Sequence, residues 1–356
     1  MKLNLLKQKI SKIPVIVKDN KESLLCMGSD ISIFEGEELV KNIDDSTFRF
    51  DFQNIAILKE NIQCRYRFPI INIKEPFWEF DFNEHLFQNF ELARKLFIKQ
   101  SEIKNFIANK SKKKQLTVLV IIDGLSYMDC TGWDNVSPCL VDTITNTECG
   151  FSNIVGISNS IAYNLFQKEL SNFIGFSYWD RENKLTERVF KNISPLFKIN
   201  RFSEILEKLN GIKLGNTYIQ IVLNGLDNIA HRYRDEPPIK PIVTQLYDNL
   251  LRLYQTLEDS AIKGNFFATS DHGILWKHRE NLTEIAPDIT SGKVHPRYYS
   301  NKLNNPRVFN FHIVEKNYSA LKHPFITRKL RSNEWGTHGG ISLAESIVPF
   351  LHWKIN

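Results

Sequence analysis

The sequence predicts an α/β protein, a doubly wound and mainly parallel sheet with helices on both faces, preceded by a small β-rich N-terminal unit. Three observations predict it. First, Leu116-Thr117-Val118-Leu119-Val120-Ile121-Ile122 is a continuous apolar, β-branched run that stops at Asp123-Gly124, the pattern of a central strand covered on both faces. Second, Tyr218 to Leu223, Gly264 to Thr269 and Ile347 to Leu351 resemble it. Third, helical patterns alternate with these runs: Phe202 to Asn210, then Thr244 to Ala261, where Leu246, Leu250, Leu253, Tyr254 and Leu257 share one face. Such alternation builds an open parallel sheet that binds ligands outside the carboxyl ends of its strands.

The elements before this core read differently. Residues 1–82 carry short strand-forming clusters at Pro14–Val17, Ile31–Phe34, Phe48–Phe52 and Ile70–Ile73, consistent with a β-rich accessory unit. Asn83 to Asn109 reads as one helix, with Leu86, Phe90, Leu92, Leu96, Phe97, Ile103 and Phe106 near helical spacing. Residues 83–114 are therefore a helix and a basic connector, Lys110-Ser111-Lys112-Lys113-Lys114, and the expected catalytic domain spans residues 115–356.

Composition sets the outer limits. The chain has 356 residues, 42% hydrophobic and 24% charged, which is a globular profile. With 46 Lys+Arg against 40 Asp+Glu, the net charge of +6 suits anionic ligands but is too small to diagnose nucleic-acid binding. No stretch approaches the ~18 apolar residues of a membrane span. Met1 to Lys7 shows no continuous apolar signal region, so the expected location is the cytoplasm, without a membrane partner. The five cysteines are scattered without a CxxC, which argues for reduced, mostly buried thiols.

Chemistry gathers where the strands end. Asp123 follows the first run, Asp227 and His231 the second, Asp271 and His272 the third, and His338 precedes the last. Three carboxylates and three imidazoles on one sheet edge repel one another unless cations neutralise the acids. Mixed Asp/His ligation suits Zn²⁺ or Mn²⁺ better than Mg²⁺ or Ca²⁺. Six ligands exceed what one catalytic zinc takes, so the count favours two metals about 4 Å apart, an arrangement that clamps both oxygens of a displacement at phosphorus.

Four motifs in order, Val120 to Leu125, Asn224 to His231, Thr269-Ser270-Asp271-His272-Gly273 and Gly336-Thr337-His338-Gly339-Gly340-Ile341-Ser342, resemble the alkaline phosphatase superfamily. With Leu343 to Pro349 following, the last motif is most similar to the PglZ domain. The resemblance implies an alkaline phosphatase-like fold for residues 115–356 and two divalent ions, zinc first, with manganese or magnesium as alternatives. It implies one metal on Asp227, His231 and His338, and another on Asp123, Asp271 and His272 with a hydroxyl nucleophile. Ser158 is the nucleophile this reading selects, with Ser160 in reserve, since both precede an apolar helical run; Ile174 to Trp179 would form the glycine-containing turn downstream.

Other residues carry weaker expectations. Arg232 and Arg297 could grip a phosphate, and Glu334 could orient His338. Trp179, Trp276 and Trp335 could stack a base, core packing being the commoner use. Ser126 reads as packing or capping the first helix, and His278, His295, His312, His323 and His352 as structural or surface residues. The implied function is a two-metal phosphohydrolase, a phosphodiesterase or nucleotide pyrophosphatase acting on a phosphorylated small molecule or an oligonucleotide. The alternatives are a non-catalytic or weakly catalytic PglZ-type component of a multiprotein, phage-defence-like system, with partners bound through the N-terminal unit, and, third, a phosphomutase.

Overall fold

The structure, a computed structural model, describes residues 17–18, 23–27, 30–34, 56–58, 70–72, Phe90, Arg94, 97–178, 183–279, 281–285 and 295–356. The chain divides into two compact units, Met1–Ile98 and Lys99–Asn356. In the first, Val17–Lys18, Ser23–Met27 and Asp30–Phe34 pair as an antiparallel sheet, and Ala56–Leu58 lies parallel to Ile70–Asn72. Phe48 to Phe52 and most of Pro14 to Val17 lie outside the described residues.

The second unit is built on an eight-stranded sheet. In chain order its strands are β1 (Ile98–Lys99), β2 (Leu116–Asp123), β3 (Val136–Leu140), β4 (Asn172–Ser177), β5 (Leu196–Lys198), β6 (Thr217–Asn224), β7 (Gly264–Ser270) and β8 (Ile347–Ile355). Their spatial order is β5-β4-β6-β2-β7-β8-β3-β1. From β5 to β7 every neighbour is parallel, whereas β8 runs antiparallel to both β7 and β3. The expected α/β class with a mainly parallel sheet is the one observed, with the last strand reversed.

Helices cover both faces. Their ranges are α1 (Ile103–Lys110), α2 (Thr147–Val155), α3 (Ile161–Gln167), α4 (Asn183–Val189), α5 (Phe202–Leu209), α6 (Asp227–Arg232), α7 (Ile239–Glu258) and α8 (Leu343–Ser346). Adjacent residues of β7 point to opposite sides: Phe266 meets Tyr254 of α7 at 6.1 Å between centroids, and Phe267 meets Phe106 of α1 at 6.1 Å. Two-sided cover explains why every residue of β2 and β7 is buried. No side-chain cap starts α7. Burial holds it instead, because Val243, Leu246, Leu250, Leu253 and Leu257 face the core and each contributes about 1.5–3 kcal/mol.

Two expected elements differ. The single helix from Asn83 to Asn109 is broken by β1 and the 3-10 turn Gln100–Glu102, so helix α1 starts only at Ile103. Ile174 to Ser177, expected as a turn, is part of β4, where Gly175 is level with Gln220 of β6. A side chain at Gly175 would strike Phe190, 2.6 Å from its Cβ, so this glycine serves packing against a sheet. Cys130, Cys139 and Cys149 are buried free thiols. Among the described residues no helix is long and apolar enough to cross a membrane.

Candidate metal centre

Strand register brings the acids to one edge. β6 pairs with β2 so that Asn224 is level with Asp123, and β7 pairs with β2 so that Ser270 is level with Ile122. The three strands end together: Asp123 is the last residue of β2, Asp227 opens α6 after β6, and the Asp271-His272 pair follows β7 directly. Gly225 permits the close approach of β6 to β2, since a Cβ there would sit 2.1 Å from the Asp123 carbonyl oxygen. His338 arrives from a later segment: Gly336–Thr337 pairs antiparallel with Leu275–Trp276, which ties its loop to the loop after His272.

Five of the six expected ligands converge in two overlapping groups that share His272. Ligand atoms of Asp123, Asp271 and His272 lie within 4.8 Å of one another, and so do those of Asp227, His272 and His338. The first group has the expected membership. In the second, His272 stands where His231 was expected, while His231 remains adjacent, its Nε2 being 3.3 Å from Asp227 Oδ1. His338 Nε2 lies 3.2 Å from the same oxygen.

The donor chemistry fits a cation. Asp123 Oδ1, Asp227 Oδ1 and Asp271 Oδ2 are buried without a hydrogen-bond partner, a costly state for carboxylate oxygens unless a positive charge meets them. The other oxygen of Asp271 is satisfied, accepting from the backbone N–H groups of Gly124 and His272 at 2.9 Å each. Both imidazoles are oriented through Nδ1: His272 toward the Gly273 carbonyl at 3.1 Å, His338 toward the Thr145 carbonyl at 2.9 Å. Donation from Nδ1 leaves each Nε2 lone pair facing the carboxylates, the tautomer of a metal ligand.

Proton affinities register the same crowding. Burial, with the Asp271 and Asp227 charges added, pushes the Asp123 carboxyl up. Burial chiefly, and Asp227 behind it, takes Asp271 to about 8 against the backbone bonds that oppose the shift. Burial and the His338 charge hold His272 down at about 3. His338 goes up despite its burial, because Asp227 faces it. Asp227 goes down, the His231 and His338 contacts outweighing desolvation.

A hydroxyl absent from the sequence reading completes the group. Thr147, the first residue of α2, places Oγ1 at 3.2 Å from His272 Nε2. Asn146 caps this helix by accepting from the Cys149 N–H at 2.8 Å, and Gly150 lets its first turn press on the Asp271 loop, a Cβ there falling 2.2 Å from the Asp271 carbonyl oxygen. Helix N-termini favour anions. Ser158 is exposed in the turn after α2, and Ser160 is used as the cap of α3, accepting from the Tyr163 N–H at 3.1 Å. Neither serine hydrogen-bonds to any of the six ligands, and α2 carries the chain roughly 12 Å beyond Thr147 before reaching them. An Asn cap and a hydroxyl at the first helical position, in Thr145-Asn146-Thr147-Glu148, was the available signal.

Other expected roles are redistributed. Arg297 is wholly buried, its guanidinium clamped on Glu345 by bonds of 2.9 and 2.6 Å, and is not free to grip phosphate. The side chain of Arg232 and all of Trp179 lie outside the described set. Glu334 does not orient His338; Arg328 engages it at 2.7 and 2.8 Å. Trp276 is buried with its indole N–H on Asp129 at 3.1 Å, and the Trp335 indole donates to the Tyr233 carbonyl at 3.1 Å. Ser126 is a cap, accepting from Met128 N–H. Gln100, wholly buried, braces the centre from outside by donating to the Ser270 and Asp271 carbonyls at 3.0 and 2.8 Å. His295, expected to be structural or superficial, lies beside the centre with its ring centroid 5.4 Å from that of His338.

No protein-family model and no curated protein sequence matches the chain. Solved structures do. The murine ectonucleotide pyrophosphatase/phosphodiesterase 5, as an inactive variant in complex with AMP, is similar at 12% identity over 67% of this chain and 87% of its own, with a TM-score of 0.45. Its human counterpart gives 14%, 67%, 87% and 0.45. The periplasmic domain of the phosphoethanolamine transferase EptC from Campylobacter jejuni gives 15%, 72%, 83% and 0.37.

Proposed function

We propose that this chain is a metal-dependent phosphohydrolase of the alkaline phosphatase superfamily, PglZ-like in its last motif, that cleaves a phosphodiester or phosphoanhydride. What carries the reading is the trio of unpartnered buried carboxylate oxygens gathered with two Nε2 atoms whose Nδ1 positions are already committed. Asp123, Asp271 and His272 would hold one divalent ion; Asp227 and His338, with His231 beside them, would hold the other, zinc being the best match to this donor set. Bound there, the pair would supply positive charge to the phosphate oxygens and lower the pKa of an attacking hydroxyl.

The remaining work falls to the chain. Thr147 replaces Ser158 and Ser160 as the proposed nucleophile, since its hydroxyl, unlike theirs, lies against the Nε2 of a candidate ligand. The helix α2 begins at that residue, so its first N–H groups and its dipole favour a phosphoryl oxygen brought to Thr147. The Thr145 carbonyl and the Gly273 carbonyl keep both imidazoles in one tautomer throughout.

The test is hydrolysis of bis(p-nitrophenyl) phosphate by zinc-, manganese- and magnesium-loaded protein. Turnover that disappears in Thr147→Ala and in Asp271→Ala, and persists in Ser158→Ala, is the expected result. Absence of turnover with all three ions across a panel of phosphate diesters and anhydrides would refute the assignment.

A further inference from the structure

A cavity of about 500 Å³ opens beside the centre, lined in part by His231, His295, Tyr298, Arg328, Arg331 and Thr337. Its inner wall is the centre itself: His231 is within 3.3 Å of Asp227, and Thr337 precedes His338. Such a volume is typical of a small-molecule site and much larger than one phosphoryl group fills.

The wall is not neutral. Glu334 accepts both bonds from the Arg328 guanidinium and a third from the Arg331 backbone N–H at 2.7 Å. The carboxylate is therefore taken up by the Arg328 guanidinium and the Arg331 main chain, while the Arg331 guanidinium makes no bond to it. Arg328 neutralises it, and the exposed Arg331 side chain has no ion-pair partner among the described residues, so one positive charge is left over. Nearer the centre, the His295 Nδ1 accepts from the Arg297 N–H at 3.4 Å, which puts the hydrogen of the neutral ring on Nε2 as a donor. Tyr298 stacks on that ring at 4.4 Å between centroids.

We propose that this cavity is a second-anion subsite. It takes the organic substituent of a phosphate whose reacting phosphoryl group sits at the metal centre, and Arg331, backed by Arg328, holds a second phosphate at the far end of that substituent. The substrate class is a doubly phosphorylated small molecule, a nucleotide with a second phosphate being one source and a sugar bisphosphate another. This deepens the phosphohydrolase reading and rests on it. An unpaired guanidinium suits phosphate because it offers two parallel donors and a fixed charge.

Calorimetry on zinc-loaded Thr147→Ala protein, which spares the ligand, reads the affinity gained from the second phosphate in two pairs: AMP against adenosine 3′,5′-bisphosphate, and fructose 6-phosphate against fructose 1,6-bisphosphate. The expected gain is on the order of tenfold to a hundredfold in at least one pair, falling toward one when Arg331→Ala or Arg331→Glu is added. A gain confined to the nucleotides identifies them as the source; a gain in both pairs shows that phosphate alone is read. No gain in either pair, or a gain that survives both substitutions, overturns the subsite. Zinc content of the same samples is measured separately. Protein that holds no zinc yet shows the Arg331-dependent gain would sink the phosphohydrolase reading and leave the subsite standing.

Discussion

Thr147 Oγ1 stands 3.2 Å from His272 Nε2, at the first residue of the nine-residue helix α2. This contact separates the two candidate hydroxyl positions. Thr147→Ala is expected to lower kcat at least about a hundredfold while zinc content is unchanged, and Ser158→Ala to stay within about twofold of wild type. Parallel turnover and metal assays check both.

Removing one acid should have opposite effects with and without metal. In metal-free protein Asp123, Asp227 and Asp271 repel one another, so Asp271→Asn should raise the melting temperature. In wild type, zinc at a hundred times its Kd should add about 2.7 kcal/mol, and the variant should lose most of that gain. Thermal melts with and without zinc read the crossing.

Arg297 and Glu345 form a fully buried pair with Gly340 packed on the guanidinium, where a Cβ would fall 2.4 Å from it. Breaking the pair by Arg297→Leu strands the Glu345 charge and should cost about 3–5 kcal/mol. The paired replacement Arg297→Leu with Glu345→Leu should recover part of it. Urea midpoints of the single and double variants decide.

Gly225→Ala would press a methyl group to 2.1 Å from the Asp123 carbonyl oxygen, which is backbone and cannot swing aside. The expected outcome is a loss of more than about 2 kcal/mol together with weakened zinc retention, because the β2 and β6 ends must part. Gly215→Ala, where a Cβ meets nothing within 4 Å, is the matched control.

Glu334 supplies a pH signature. Arg328 holds its carboxyl down at about 2, against the ordinary 4.5. A depressed pKa gives stability that is complete above the unfolded value and is lost as pH falls toward the folded one. The stability gap between wild type and Glu334→Gln should therefore be constant near neutrality, shrink below about 4.5 and vanish near 2. Denaturant titrations at a series of pH values measure it.

That the three acids gather at one edge was legible because each lies at or within three residues of the end of an apolar run, and the end of a parallel strand is where a sheet opens to solvent. The placement of the Thr147 hydroxyl was not. Ser158 and Ser160 precede apolar helical residues as Thr147 does, and only the register that brings α2 against the Asp271 loop distinguishes them. The direction of β8 was equally hidden, since an apolar run reads the same parallel or antiparallel. His295 and Arg331 lie in the stretch between the third and fourth motifs, where no periodicity announces a site.

The reversed strand β8 has a consequence for biogenesis. Residues 347–355 do not extend the sheet at its margin; they fill a slot between β7 and β3. A ribosome-bound chain can assemble β2, β4, β6 and β7 early, yet β3 has no neighbour from that group until residue 355 has left the exit tunnel. Until then β7 presents an edge of unpaired backbone N–H and C=O groups, so nascent intermediates stalled before residue 347 should be the ones chaperones capture.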